Sequence, residues 1–232
     1  MTVILVLFTF VVFLVVDHFY SKRKAVQPIL MQAAIPAAAP VRIDQEVAAR
    51  LRPSMVAGFS VPDNVRYHPG HTWALSESPN LVRVGMDDFA GKVLGKAEKV
   101  TLPQRGQWIR QGQKMISFER EGVKIDMVSP IEGSVSDINE ALVKDPELAR
   151  KDPYGDGWLV TVQAPDAKTN FRNLLGGALA RGWMEEAAAR LRVRMPQFAG
   201  ALAQDGGTVI DDLSAQIPDK ELVEMSHEFF LC

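Results

Sequence analysis

The sequence predicts a mainly β protein, a small β-sandwich or barrel carrying a membrane-spanning helix ahead of it and amphipathic helices behind it. Three observations carry this. Between Val61 and about Ala164, short runs rich in β-forming residues alternate with Gly and Pro, the texture of many short strands joined by turns. Residues 3–16 (VILVLFTFVVFLVV) contain no charge. Beyond residue 165, apolar residues recur at helical spacing.

The opening run, counted from Met1 to Tyr20, supplies the roughly 20 helical residues that cross a hydrocarbon core of about 30 Å. Phe19 and Tyr20 fit an interfacial aromatic belt, and Lys22-Arg23-Lys24 follow at once. No Lys or Arg precedes the run, so the positive-inside rule keeps the rest of the chain cytoplasmic, as a single-pass membrane protein. A cleaved signal would begin with a basic segment, which is missing, and every face of the run is apolar, which disfavours a buried core helix. Residues 21–60, with Pro28, Pro36, Pro40 and Pro53 and an Ala-rich centre, read as a tether that contains a short helical stretch at Asp44–Leu51.

Within 61–164, strands are expected at Asn80–Val84, Lys99–Leu102, Gln107–Ile109, Lys114–Glu119, Val123–Val128, Ser134–Ile138 and Trp158–Gln163. A helix over Asp87–Leu94 opens on an acidic cap and closes at Gly95, and a second is expected at Asp145–Arg150. In the extension 165–232, Phe171, Leu174, Leu175, Ala178, Met184, Ala187, Ala188 and Leu191 define one long amphipathic helix. A Gly-rich break at Asp205–Gly207 precedes a last helix, Asp219–Phe230, introduced by Pro218. The apolar ending Phe229-Phe230-Leu231-Cys232 is expected to dock on something, and removing 165–232 is expected to leave the β domain able to fold.

With 26 basic against 28 acidic residues, the chain offers no strongly basic surface for nucleic acid. Its single cysteine, Cys232, excludes an internal disulfide or a cysteine metal cluster within one copy. No phosphate loop, Ser/His/Asp arrangement or zinc signature is present, so no catalytic residue, metal ligand or enzymatic activity is expected. His68 and His71 lack a carboxylate or cysteine cluster at ligand spacing, and packing of His71 beside Trp73 is the simpler reading. Asp87 and Asp88 read as helix-opening charges, and Trp183-Met184 as core.

The stretch Val65–Trp73 carries Tyr67, His71 and Trp73 at the spacing of the opening of glycine cleavage H proteins, and the chain resembles that family over about residues 61–164. The resemblance continues through Val84–Ala90, Leu94-Gly95, Leu102-Pro103, Gly106, Gly112, Ser129-Pro130, Gly133, Asn139–Leu142 and Asp152–Leu159. It implies a lipoyl-type barrel-sandwich hybrid of two short sheets, in which a lysine at the tip of a tight turn carries lipoate. Counting forward from Gly112 and back from Pro130 both place that position on Gly122. Lys124, in Glu121-Gly122-Val123-Lys124, is the rival, reached by a two-residue slip that leaves every side chain on its own face. The expectation is therefore a membrane-anchored, non-catalytic module without a cofactor, binding an unidentified protein. The alternative is a lipoyl carrier modified at Lys124.

Overall fold

The computed structural model describes residues 54–196, 213 and 217–231. The expected membrane helix (1–20), nearly all of the tether, the Asp205–Gly207 break and Cys232 lie outside the described residues. Among the described residues, no helix is long and apolar enough to cross a membrane.

Among the described residues, eleven strands form three antiparallel sheets. A hairpin of β1 (Ser54–Val56) and β2 (Phe59–Val61) stands alone. Six strands make the main sheet, in the order β3 (Arg66–His68), β4 (Thr72–Ser78), β5 (Leu81–Met86), β11 (Val160–Gln163), β10 (Gly133–Ile138) and β7 (Trp108–Ile109). The third sheet is β6 (Lys99–Thr101), β8 (Lys114–Arg120) and β9 (Val123–Val128). Alternation drives the pairing. In β5, Val82 and Val84 are buried while Arg83 between them is not. A bulge between Lys114 and Ile116 breaks that rule in β8, so Met115 and Ile116 are both buried. The apolar faces of the two larger sheets, including Tyr67, Trp73, Val135 and Val162 from one and Ile116, Phe118, Ile125 and Met127 from the other, belong to one core.

The expected strands lie where alternation placed them, with shifted ends. β3 and β4 were not anticipated, because the strand Thr72–Ser78 is buried at three consecutive residues and exposed at its far end, with no clean period. The first helix is α1 (Asp88–Leu94). Asp87 is its cap, accepting the Ala90 N–H at 2.8 Å, and Gly95 closes it at φ 67°. α2 (Glu140–Lys144), capped by Asn139, was unexpected, and the helix expected over Asp145–Arg150 is the single turn α3 (Leu148–Lys151).

Two boundaries differ materially. The folded region includes residues 54–60, which the sequence assigned to the tether; strands of three residues are too short for alternation to register. Phe59 is fully buried there. The long helix expected from Phe171 does not form as one piece. α4 (Ala167–Asn170) and a 3-10 turn (Phe171–Asn173) come first, and Leu175 then exchanges backbone hydrogen bonds with Tyr67 at 2.8 and 2.9 Å. Gly177 (φ 55°) reverses the chain into α5 (Ala178–Arg194), whose Ala180, Met184, Ala187, Ala188 and Leu191 form the buried stripe. The last helix, α6 (Asp219–Phe230), begins after Pro218 as expected and buries Phe229 and Phe230. Residues of the extension thus belong to the same core as the β domain.

Candidate functional site

The hairpin tip is set by β8 and β9. Arg120 pairs with Val123, leaving Glu121 and Gly122 as a two-residue loop with φ of 48° and 80°. Positive φ at both central residues is the signature of the primed turn that matches strand twist, and glycine is the residue that adopts it without penalty. A Cβ at Gly122 would meet nothing within 4 Å, so the tip is open.

Lys124 sits two residues into β9, opposite Glu119. Its side chain is 66% exposed, and Nζ lies 3.8 Å from the Asp126 carboxylate. Asp126 also accepts the Ser117 hydroxyl and lies 3.4 Å from the Lys114 ammonium. Burial pushes the Asp126 carboxyl up, but the Ser117 hydroxyl and the two ammonium groups outweigh it and hold the carboxyl below its ordinary value. Lys99, Glu119 and Lys124 form one exposed cross-strand row of alternating charge.

A separate cluster around His71 is aromatic. His71, held at φ 58°, is 1% exposed and places Nδ1 2.8 Å from Asp87 Oδ2. Its ring stacks on Phe89 at 4.1 Å and against Trp183 at 4.5 Å. Trp183 is partly buried and packs against the core, and Met184 beside it is fully buried. Neighbouring Trp73 packs over Gly85, where any side chain would collide with its ring, and its indole N–H reaches the Met86 and Pro153 carbonyls. His68 Nδ1 accepts the Gly70 N–H at 3.0 Å; burial, and then the neighbouring His71, push its basicity down. No group of three or more His, Cys, Asp or Glu among the described residues is placed to hold a metal.

Asp87 and Asp88 divide the role assigned to them jointly. Asp88 pairs with Lys92 at 2.8 Å and accepts the Ser60 N–H at 2.8 Å, and the Tyr154 hydroxyl donates to the Ser60 carbonyl at 2.7 Å. These three side chains clasp the β1–β2 hairpin to α1. The i,i+4 spacing of Asp88 and Lys92 was a visible hint, but nothing local pointed to Tyr154.

Two antiparallel sheets sharing one core, with an open tight turn at the end of the smaller, make this a two-sheet β module. The family model described as Glycine cleavage H-protein matches residues 65–186. The chain belongs to the glycine cleavage H-protein family. It is 37% identical over 108 residues to the glycine cleavage system H protein of Coprothermobacter proteolyticus, covering 47% of this chain and 85% of that one. To the H protein of Anaeromyxobacter sp. strain K it is 32% identical over 128 residues, covering 55% and 98%. Among solved structures, the H protein of Mycobacterium marinum matches with 30% identity and a TM-score of 0.47, covering 53% of this chain and 97% of that one.

Proposed function

We propose that this protein is a non-catalytic, membrane-anchored member of the H-protein family that binds a partner protein and carries no lipoate. The observation behind this reading is Gly122, which stands at the open tip of the β8–β9 turn with φ 80° and offers no amine. A carrier arm has to start from an exposed turn so that the domain does not consume its reach. Lys124, the nearest amine on β9, instead lies in a regular strand pair and faces two acidic neighbours. The charged row of Lys99, Glu119 and Lys124 gives the partner a patterned face. The apolar residues 3–16 supply the anchor, with the folded unit on the cytoplasmic side.

The alternative is a lipoyl carrier modified at Lys124, favoured by the 66% exposure of that side chain. Co-expression with lipoate ligase and octanoyl transferase, followed by intact mass and peptide mapping across Lys114–Pro130, separates the two. An unmodified chain is expected; a lipoyl increment that disappears in Lys124→Arg would establish the carrier. Membrane fractionation of the full chain against one lacking residues 1–20 tests the anchor, with loss from the membrane fraction expected.

A further inference from the structure

The main sheet treats its two edges differently. β3 is covered, since Leu175 exchanges backbone hydrogen bonds with Tyr67, whereas β7 ends the sheet with no strand on its outer side among the described residues. The Val135 N–H donates to the Gln107 carbonyl at 2.9 Å, so in the planar trans peptide the Trp108 N–H points away from β10. Ladder alternation turns the Trp108 carbonyl the same way. An open edge is a template for another strand. This one is only two residues long, so its backbone offers a single pair of hydrogen bonds and selectivity falls to the side chains.

Ile109 is fully buried and anchors β7, which leaves the Trp108 indole on the opposite face, 51% exposed. Trp108 and the turn after it, Arg110, Gln111, Gly112 and Gln113, line an open cleft of about 570 Å³. That turn is pinned. The Gln113 side chain accepts the Arg110 N–H at 3.1 Å, while Gly112 donates to the Ser129 carbonyl and Ser129 to the Gln113 carbonyl, each at 2.8 Å. The Gln111 amide donates to the Pro130 and Asn170 carbonyls and accepts from Asn173, which brings the intervening Arg172 to the same end of the molecule. Arg105, on the loop before β7, is taken by Asp137 and Glu140. Arg110 and Arg172 are exposed, and neither forms an ion pair among the described residues, even with Glu132, whose N–H is bound to Asn170.

We propose that the β7 edge and the turn after it dock an extended acidic segment of a partner protein, with its backbone on Trp108, an apolar side chain on the indole and a carboxylate on Arg110. Charge selects this occupant: uncompensated guanidinium groups favour a carboxylate, and they oppose a basic strand or a second copy of β7, which would bring its own arginine to the cleft. Trp and Arg are also the side chains that most often carry binding energy at an interface. The site deepens the partner-binding reading above, on which it rests, and lies on the other sheet from the row of Lys99, Glu119 and Lys124.

The full chain in detergent is titrated into a labelled, end-capped hexapeptide alternating Val and Glu, with a Val/Lys hexapeptide and a single-stranded oligothymidylate in parallel, and binding is read by fluorescence anisotropy. Saturable binding of the Val/Glu peptide alone is expected. Trp108→Ala should weaken it at least about tenfold and Arg110→Glu about fivefold, the second effect fading in about 0.5 M salt. Methylating the peptide's backbone nitrogens, which removes its strand donors, should weaken binding as well. Both substituted side chains are exposed, and circular dichroism melts matching the parent are expected for the two variants. No binding by the parent, equal binding of the Val/Lys peptide or the oligothymidylate, or binding indifferent to both variants would overturn the site. A lipoyl increment on Lys124 would defeat the partner-binding reading by mass, whereas a failed titration with an unmodified chain defeats this site alone.

Discussion

At the scale of single residues, Asp87 does two jobs with two oxygens: Oδ1 caps α1 and Oδ2 holds His71. Asp87→Ala is expected to cost about 2–4 kcal/mol, the sum of a lost cap and a buried imidazole left unpaired, measured by urea unfolding. Asp87→Asn, which keeps an oxygen for the cap, should recover part of that. His68 gives a pH dependence. Its folded form resists protonation because it is buried and lies near His71, whereas in the unfolded chain it takes a proton near the ordinary value of 6.5. The unfolded state therefore binds the proton first as pH falls. The contribution of His68 to stability is complete above about pH 6.5 and declines as pH drops below that, towards its lower folded value. Subtracting the unfolding free energies of His68→Gln from those of the parent between about pH 7 and 5 should reveal this slope; parallel curves would contradict it.

At the scale of elements, the β8–β9 hairpin is where the sequence was most informative. Its tip could be placed by counting because both arms run to fixed landmarks, Gly112 and Pro130, and the loop between them is a minimal two residues. Placing a side chain there has a conformational cost: Gly122→Lys should destabilise the chain by about 1–2 kcal/mol in thermal or urea unfolding. The same variant, co-expressed with the lipoylation enzymes, is expected to become lipoylated at residue 122. The pairing of His71 with Asp87 was not legible, since it depends on the register that sets Thr72 opposite Met86, and neither strand β3 nor the start of β4 shows a period. Helical spacing likewise ran through Leu174 and Leu175, because a mean apolar period does not feel the single reversal at Gly177 that releases Leu175 to pair with Tyr67. In α6 no such reversal intervenes, and the start after Pro218 could be read directly.

At the scale of the whole molecule, segments on both sides of the family-matched region close on the same few elements. The β1–β2 hairpin is clasped to α1 through Asp88, Lys92 and Tyr154, while Leu213 bonds the Lys92 carbonyl and α6 packs on Phe89. A chain stopped after Ala164 would lose the Leu175 partner of Tyr67 and the Trp183 face of His71. It is expected to lose its cooperative unfolding transition, whereas a chain stopped after Met195 should keep one, as circular dichroism melts would show. The bare turn at Glu121-Gly122 has a practical consequence for engineering. An exposed two-residue loop with open space around Gly122 is a permissive splice point, so a short foreign epitope placed between these two residues should leave the melting curve nearly intact. Antibody capture through that epitope would then leave every other surface of the module unobstructed.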